Sequence, residues 1–531
     1  MQGRALTALA VMLAAGVSVF AVPAHATIIT SGSNCGTGTI ATTGSTTNQV
    51  LIGCTATGSL EVNANATGNG FTTATVGQAP ASVSLVSGYL TGGNGSVLVN
   101  GNGTAGSAKL NTATGIEVGN SGGTGALTVQ NGGQVTVLTN SSGLTIANSG
   151  NSTGTVTVDG AGSSITLPGH LGIGEQDNAH ASLTISGGGT VQTNFNPAGP
   201  GFGNGNIGVG AGQNSTGTLI VTGAGSTLTG EGMFIGSSPT GSTATATVSA
   251  GGTVNLYPFN LSGLNAPFDD GLSVGSDAGA TLTITGTGSS VNVGAITQAT
   301  QFLHGKEVVI GGFAAGTVVV DNGAALNALG GGNVLVSGGA FGNQFAAPAT
   351  LTVKNGATLT AGTVTVNQNG TLNGNGTIIG NVVLNGGTLS PGNSPGTETI
   401  TGDLSLLSGV LNLEIGNGIA DHLNVSGNVS IGSGLIINLI FEYVPALNTV
   451  FDFDDFFTIG GGGGMTFDPS FSLAQFNVQG LTAGNAIIVT ADGGGAQFVG
   501  TAAVPEPASI ALLLTGLGGL AVARRRRKAR A

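Results

Sequence analysis

Apolar and polar residues alternate along most of this chain. Typical stretches are Leu127-Thr128-Val129, Leu183-Thr184-Ile185 and Leu282-Thr283-Ile284, in which a threonine separates two aliphatic residues. Successive side chains of a strand point to opposite faces, so this pattern buries the aliphatic pair and exposes the threonine. A second pattern, apolar-x-Ile/Val-Gly, precedes many of these stretches, as in Ile116–Gly119 and Leu171–Gly174. Together the two patterns predict short strands separated by glycine turns.

The two patterns recur with a long period. The sequence Gly-Ala-Gly-Ser at Gly160–Ser163 returns at Gly223–Ser226 and, with threonine for alanine, at Gly286–Ser289. These copies start at positions 160, 223 and 286, which are 63 residues apart. The stretches Ile185–Val191 and Val248–Val254 keep the same 63-residue offset. The array therefore alternates a short and a long unit.

One such unit cannot bury its apolar face, whereas stacked units form a continuous aliphatic core. We therefore predict an all-β fold, a right-handed parallel β-helix (β-solenoid), with glycine and asparagine at the corners that need a positive φ. Coils of about 20–30 residues stacked about 4.8 Å apart would form a rod of roughly 70–100 Å from residue 27 to 445. A β-propeller or a sandwich is the alternative, but propeller blades of about 40–45 residues exceed the half-units here.

From residue 362 the repeat changes character and leads into Gly-Thr-Leu-Ser-Pro-Gly-Asn-Ser-Pro-Gly-Thr at Gly387–Thr397. This phrase resembles the passenger β-helix of autotransporters, and the resemblance covers roughly residues 120–445. Relatives of that kind are surface or secreted proteins with structural and adhesive roles, and the resemblance implies such a role here. The chain departs from the family at its end, where no β-barrel translocator is expected, so self-export is not implied.

Phenylalanine is concentrated in the next stretch, Val450–Phe476, which also contains the five glycines Gly460–Gly464. Bulky aromatic residues at the end of a solenoid would close its open edge and block the addition of further strands. We therefore predict a Phe/Gly-rich β cap over 446–503. A ligand-binding or self-association patch is the alternative.

The N-terminus reads as a secretory signal peptide. Arg4 is followed by an apolar stretch from Ala5 to Val22 and then by Ala24-His25-Ala26, an A-x-A cleavage site. Signal peptidase would cut after Ala26 and leave Thr27 as the first mature residue. An uncleaved N-terminal membrane helix is the alternative.

The C-terminus combines three signals in a fixed order. Val504-Pro505-Glu506-Pro507 precedes an uncharged apolar run, Ala508–Ala523, and the basic residues of the tail follow, namely Arg524, Arg525, Arg526, Arg527, Lys528 and Arg530. As a helix the apolar run would be about 24 Å long, short for a hydrocarbon core of about 30 Å unless the flanking arginines snorkel. The positive-inside rule places the basic tail in the cytoplasm.

This tail resembles the PEP-CTERM sorting signal, which a membrane-embedded exosortase recognises in some Gram-negative bacteria. The resemblance implies processing by exosortase and a transient inner-membrane anchor before the protein reaches the cell surface or the extracellular space. A plain tail anchor is the alternative.

Charge is scarce and mostly negative. Between Thr27 and Val504 the chain has 21 acidic residues, three lysines and no arginine, a net charge of −18. Such a surface repels phosphate backbones, which argues against nucleic-acid binding. Cys35 and Cys54, the only cysteines, could form a disulfide in an exported protein or remain as two free thiols.

No motif for catalysis or metal binding has its required context. Several G-x-S-x-G matches lack the strand-to-helix elbow of a hydrolase. Asp269 and Asp270 could form an acid pair in a polysaccharide-degrading enzyme, but neighbouring strand residues point to opposite faces. Asp452, Asp454 and Asp455 could bind calcium, although a solvated acidic loop explains them as well. We therefore expect no enzyme activity and no cofactor.

These observations predict six segments: a signal peptide (1–26), a β-rich start of the solenoid (27–115), solenoid repeats (116–361), autotransporter-like repeats (362–445), the cap (446–503) and the sorting signal (504–531). The expected role is structural or adhesive, with exopolysaccharide or other copies of the chain as partners. A surface-binding threonine array is a further alternative, since Thr-x-Thr occurs at Thr155/Thr157, Thr243/Thr245/Thr247 and Thr363/Thr365. The sequence leaves open whether these pairs share one flat face.

Overall fold

A computed structural model describes residues 27–32, 50–64, 72–76, 83–138, 143–193, 205–237, 241–257, 270–294, 307–338, 347–392, 394–445, 450–481, 486–492 and 495–501. These residues form an all-β parallel solenoid, as the alternating sequence pattern predicted. Within them only three single-turn 3₁₀ helices occur, at Leu329–Gly331, Phe453–Phe456 and Leu473–Gln475. No helix in this described part of the chain is long and apolar enough to cross a membrane.

Strands of the first half are short and follow one another with a regular spacing. In chain order they are β1 (Thr27–Gly32), β2 (Val50–Ile52), β3 (Thr57–Asn63), β4 (Thr72–Val76), β5 (Val83–Tyr89), β6 (Asn94–Asn100), β7 (Ala108–Thr112), β8 (Gly115–Asn120), β9 (Thr124–Gln130), β10 (Gln134–Val137), β11 (Leu144–Asn148), β12 (Thr153–Asp159), β13 (Ser164–Thr166), β14 (Leu171–Ile173), β15 (His180–Ser186), β16 (Thr190–Gln192), β17 (Ile207–Val209), β18 (Thr216–Thr222), β19 (Thr227–Gly230), β20 (Met233–Ile235), β21 (Thr243–Ser249) and β22 (Thr253–Leu256).

Strands of the second half become longer because several of them run through a corner of the solenoid without a break. They are β23 (Asp270–Val274), β24 (Ala280–Thr285), β25 (Ser290–Val293), β26 (Glu307–Ile310), β27 (Gly316–Asp321), β28 (Ala325–Ala328), β29 (Asn333–Val336), β30 (Ala349–Val353), β31 (Thr358–Asn367), β32 (Gly370–Gly374), β33 (Thr377–Pro391), β34 (Thr397–Ile400), β35 (Leu404–Gly416), β36 (Ile419–Ala420), β37 (His422–Val425), β38 (Val429–Phe441), β39 (Val450–Asp452), β40 (Phe457–Ile459), β41 (Met465–Phe467), β42 (Phe476–Gln479), β43 (Ala486–Asp492) and β44 (Gly495–Thr501).

Each coil contributes one strand to each of three parallel ladders. Ladder A is the stack that contains β8, β11, β14 and β17, ladder B contains β9, β12, β15 and β18, and ladder C contains β10, β13, β16 and β19. The apolar-x-Ile/Val-Gly pattern forms ladder A, and the apolar-Thr-apolar pattern forms ladder B. The two sequence patterns are therefore two sides of the same coil.

Coil length alternates where the sequence repeat is strongest. In ladder B, Thr153 pairs with His180, His180 with Thr216, and Thr216 with Thr243. These steps are 27, 36 and 27 residues long, so two coils span the predicted 63. The three repeat copies occupy equivalent turns: Ser163, Ser226 and Ser289 are buried, and each accepts a hydrogen bond at 3.0 Å from a backbone amide of a neighbouring coil.

The core is a set of aliphatic stacks along the axis. In ladder B, Leu183 lies beside Leu219 on the next coil, and the pairs continue as Leu219 with Ala246 and Ala246 with Leu282. These four side chains are at most 1% exposed. Fifteen rungs of ladder B lie within the described residues, and at about 4.8 Å per rung they give a stack of about 70 Å.

The two ends of the solenoid are built differently. At the first rung β1 pairs antiparallel with β3, whose other edge pairs parallel with β6. At the last rung β40, β41 and β42 extend the ladders, and Phe467, Phe471 and Phe476 pack on one another with ring centroids 5.4 and 5.8 Å apart. A separate antiparallel sheet of β39, β44 and β43 follows.

Candidate functional surface

Ladder B presents its polar side chains outward. Each of its strands alternates buried aliphatic residues with partly or fully exposed polar ones, as in β21, where Ala244, Ala246 and Val248 are buried and Thr243 and Thr245 are exposed. Backbone hydrogen bonds hold neighbouring strands in register, so outward residues at equivalent positions form straight columns along the axis. The composition of these columns decides what the surface can bind.

One of these columns is made of threonine alone over seven consecutive rungs. Thr245 pairs with Thr218 on one side and with Thr281 on the other, and the pairing continues from Thr281 to Thr317. This central column consists of Thr218, Thr245, Thr281, Thr317, Thr350, Thr371 and Thr388. It extends about 29 Å at about 4.8 Å per rung.

The next column along the strands mixes threonine with other uncharged residues. This adjacent column consists of Ile220, Thr247, Thr283, Val319, Thr352, Asn373 and Ser390. Residues two apart on a strand lie about 6.6 Å apart, so the two columns form a grid of about 4.8 by 6.6 Å. We call both columns together the threonine face. Its described residues include no charged and no aromatic side chain.

The Thr-x-Thr pairs noted in the sequence divide between two ladders. Thr155/Thr157 on β12 and Thr245/Thr247 on β21 lie in the same two columns of ladder B. Thr363 and Thr365 instead pair with Asn333 and Leu335 of β29, in ladder A. The expectation of one flat array therefore holds for the pairs of ladder B, and the third pair lies on another face.

A second feature is a buried pair of carboxyl groups near the end of the solenoid. Glu398 points into the core from β34 and is 0% exposed, and its two carboxyl oxygens have no hydrogen-bond partner among the described residues. Asp421, which is 2% exposed, accepts hydrogen bonds from the backbone amides of Gly396 and Glu414, both at 2.8 Å. Glu414 in turn accepts a hydrogen bond from Ser394 at 2.5 Å.

The electrostatics of the pair follow from burial. Loss of solvation, with a smaller contribution from the nearby Asp421 carboxylate, raises the pKa of Glu398 to about 8, so Glu398 is neutral at pH 7. Burial also raises the pKa of Asp421 to about 6, although its two amide donors oppose the shift. A fully buried Glu398 cannot reach a polymeric substrate, so this geometry is a structural element rather than a glycosidase acid pair.

Sequence reasoning did not single out Glu398. The signal is present in Thr397-Glu398-Thr399-Ile400, where the alternating pattern places a glutamate at an inward position that aliphatic residues occupy elsewhere. Asp421 carries no such local signal because Gly396, which donates to it, lies 25 residues earlier.

Most other predicted site residues lie outside the described residues. This is the case for the signal-cleavage residues Ala24 and Ala26, for Cys35, and for the whole segment 502–531 with the Pro505-Glu506-Pro507 motif, the apolar run and the basic tail. Cys54 is buried and disulfide-bonded. Its pairing with Cys35 stays a prediction.

The predicted acidic sites receive little support. Asp269 is outside the described residues, and Asp270 starts β23 opposite Glu307. Within the described part of the chain, no three His, Cys, Asp or Glu side chains converge in the way that a metal site requires.

Comparison with known families assigns the C-terminal segment. Residues 503–528 match the model of the PEP-CTERM protein-sorting motif. The chain carries an exosortase sorting signal. A protein with this signal is exported, is held as a membrane-anchored precursor and is sorted to the cell surface. No curated protein matches the chain.

Proposed function

We propose that this chain is a non-enzymatic structural or adhesive rod of the cell surface or the extracellular polysaccharide matrix, and that the threonine face is its contact surface. The sorting signal supplies the route to the surface. The observation that carries the proposed role is the unbroken column from Thr218 to Thr388, because seven equivalent hydroxyl groups on a rigid ladder offer a repeating set of contacts. Many weak contacts in a fixed register suit a long or extended partner.

Charge and topology agree with this role. The region between Thr27 and Val504 has a net charge of −18, which keeps the rod soluble outside the cell and away from anionic lipids. The antiparallel β1 covers one edge of the first rung, so uncontrolled end-to-end growth of the ladders is disfavoured there. We infer that the sides of the rod, rather than this end, make the useful contacts.

Fractionation of cells tests the proposal. Cells that produce the native chain should show a processed form at the surface or in the matrix, whereas a Pro505/Glu506/Pro507→Ala variant should accumulate as the membrane-anchored precursor. A Pro391→Ala variant, changed at a proline of the solenoid, serves as the matched control and should be processed normally. Equal processing of all three chains would refute the sorting step, and native chain that stays in the inner membrane would refute the surface role.

A second candidate function is favoured by the same column. A flat grid of threonines can hold water in an ordered layer, and a surface-binding array of this kind would bind ice. Purified chain that slows the recrystallisation of ice, with loss of the effect on substitution of Thr281, would support this candidate over the adhesive one.

A further inference from the structure

The threonine face is specific enough to indicate the chemical class of its ligand. This inference rests on the proposed contact role of that face and adds what the face contacts. Four properties of the described residues bear on the question, and they are charge, the mixture of hydroxyl and aliphatic groups, the absence of aromatic side chains, and rigidity.

The charge of the face argues for a neutral ligand. Both columns are uncharged, and the nearest charged residues of ladder B lie at its edge, where Asp321 pairs with Lys354 at 3.8 Å. With no free cation on the face, an anionic polymer such as a polyuronate finds no counter-charge. The net negative charge of the rod repels it in addition.

The side-chain mixture argues for a ligand with both hydroxyl and C–H groups. Threonine itself carries a hydroxyl and a methyl group, and the adjacent column adds Ile220 and Val319 between its threonines. Further along the same face Val410 follows Thr388, and Ile436 follows Val410. Aliphatic residues interrupt a grid meant only for water, but they fit a sugar ring, which presents C–H groups beside its hydroxyls.

The lack of aromatic side chains and the rigidity of the ladder argue for an ordered solid. Without aromatic rings to stack on, each sugar contact on this face is weak. A flexible single chain would also lose conformational entropy on binding. A crystalline polymer has already lost that entropy, and its regular surface can meet many rungs at once.

We propose that the threonine face adsorbs to the surface of a neutral, crystalline polysaccharide. The rungs from Thr218 to Thr388 would lie flat on the crystal, with hydroxyl groups donating to and accepting from sugar hydroxyls. The methyl groups and the two aliphatic residues of the adjacent column would pack on the C–H faces of the sugar rings.

The test uses the full chain in detergent and measures adsorption to powdered crystalline cellulose and chitin, with a soluble polyuronate as the anionic probe. Thr281→Lys places a long, charged side chain in the middle of the central column and should weaken adsorption at least about tenfold, which corresponds to about 1.4 kcal/mol. Thr281→Ser keeps the hydroxyl group and should stay close to the native chain. Thr365→Lys is the matched control because Thr365 is an equally half-buried strand threonine on ladder A, and it should adsorb like the native chain.

Each other outcome overturns the proposal. Equal loss in the Thr281→Lys and Thr365→Lys variants would show that adsorption does not use this face. Tighter binding of the polyuronate would refute the neutral ligand, and ice shaping without adsorption to either glycan would assign the face to ice. If the native chain reaches the matrix but adsorbs to neither solid, the ligand class is wrong and the proposed surface role still stands.

Discussion

Asp421 accepts a hydrogen bond from the backbone amide of Gly396 at 2.8 Å, across 25 residues of sequence. Its second carboxyl oxygen accepts the amide of Glu414 at the same distance. One side chain therefore joins the segment before β34 to the end of β35. The backbone amide of Asp421 completes the arrangement by donating to the carbonyl of Glu414 at 2.8 Å.

Substitution of Asp421 should therefore destabilise the C-terminal coils. In Asp421→Asn one amide donor loses its acceptor, because the Nδ2 group of asparagine cannot accept. A cost of about 1–3 kcal/mol in the free energy of unfolding is expected for a buried donor left unpaired. Chemical denaturation followed by circular dichroism measures it. Asp403→Asn is the control, since Asp403 also accepts a backbone amide, from Asn428 at 2.7 Å, but is exposed. An equally large loss in the control would contradict this role of burial.

Glu398 should make the stability of the solenoid depend on pH. Its pKa of about 8 in the folded protein lies above the ordinary 4.5, so the folded state binds the proton more tightly than the unfolded state. The stabilisation by this proton is complete below about pH 4.5 and is lost as the pH rises to about 8, with a total on the order of a few kcal/mol. Asp421, shifted from 3.8 to about 6, acts in the same direction at lower pH.

Glu398→Gln removes the ionisable group and should flatten this decline between about pH 5 and pH 8. The midpoint of thermal unfolding, recorded at closely spaced pH values, measures the effect. Glu61→Gln serves as the control because Glu61 lies on the outward side of β3. A native profile without a decline in this window, or a Glu398→Gln profile that still falls in the same way, would argue against a proton on Glu398.

The inward and outward residues of one strand should differ sharply in their contribution to stability. Leu282 of β24 is 0% exposed in the aliphatic stack, and Leu282→Ala should cost about 2–5 kcal/mol because it leaves a cavity. The neighbouring Thr283 points outward, and Thr283→Ala should change stability by less than about 0.5 kcal/mol. Urea denaturation of both variants tests the assignment of faces, which a similar cost at the two positions would reverse.

The serine that ends each 63-residue repeat should be a stabilising contact between coils. Ser289 donates to the carbonyl of Thr285 at 2.8 Å and accepts from the amide of Gly251 on the preceding coil at 3.0 Å. Ser289→Ala leaves that amide unpaired and should cost about 1–3 kcal/mol. Thr287→Ala, at an exposed position of the same turn, should be neutral. Hydrogen exchange at Gly251 gives a local readout and should speed up only in the serine variant.

The sequence was sufficient for those parts of the structure that depend on local patterns. Alternation at Leu282-Thr283-Ile284 predicts which side chain is buried, and the spacing of Gly160, Gly223 and Gly286 predicts the two-coil period that the strand pairing confirms. Both depend on nearest neighbours along the chain or on a strict repeat, and the fold follows from them.

Contacts that depend on three-dimensional closure could not be predicted in this way. The alternation at Thr363 and Thr365 equals that at Thr245 and Thr247, yet β31 passes through a corner and carries Thr363 and Thr365 onto ladder A. The site made by Glu398 and Asp421 likewise needs the coil lengths of the C-terminal half, which shorten where strands run through corners.

The alternation of 27- and 36-residue coils sets the unit by which this protein can grow or shrink. Loss or duplication of 63 residues would join like coil to like coil, so neither the inward stacks nor the outward columns would see a new neighbour. A change of one coil would bring together corners of unequal length. Homologous proteins of different reach should therefore differ by even numbers of coils in this region, which provides evolution with a ruler marked in steps of about 10 Å.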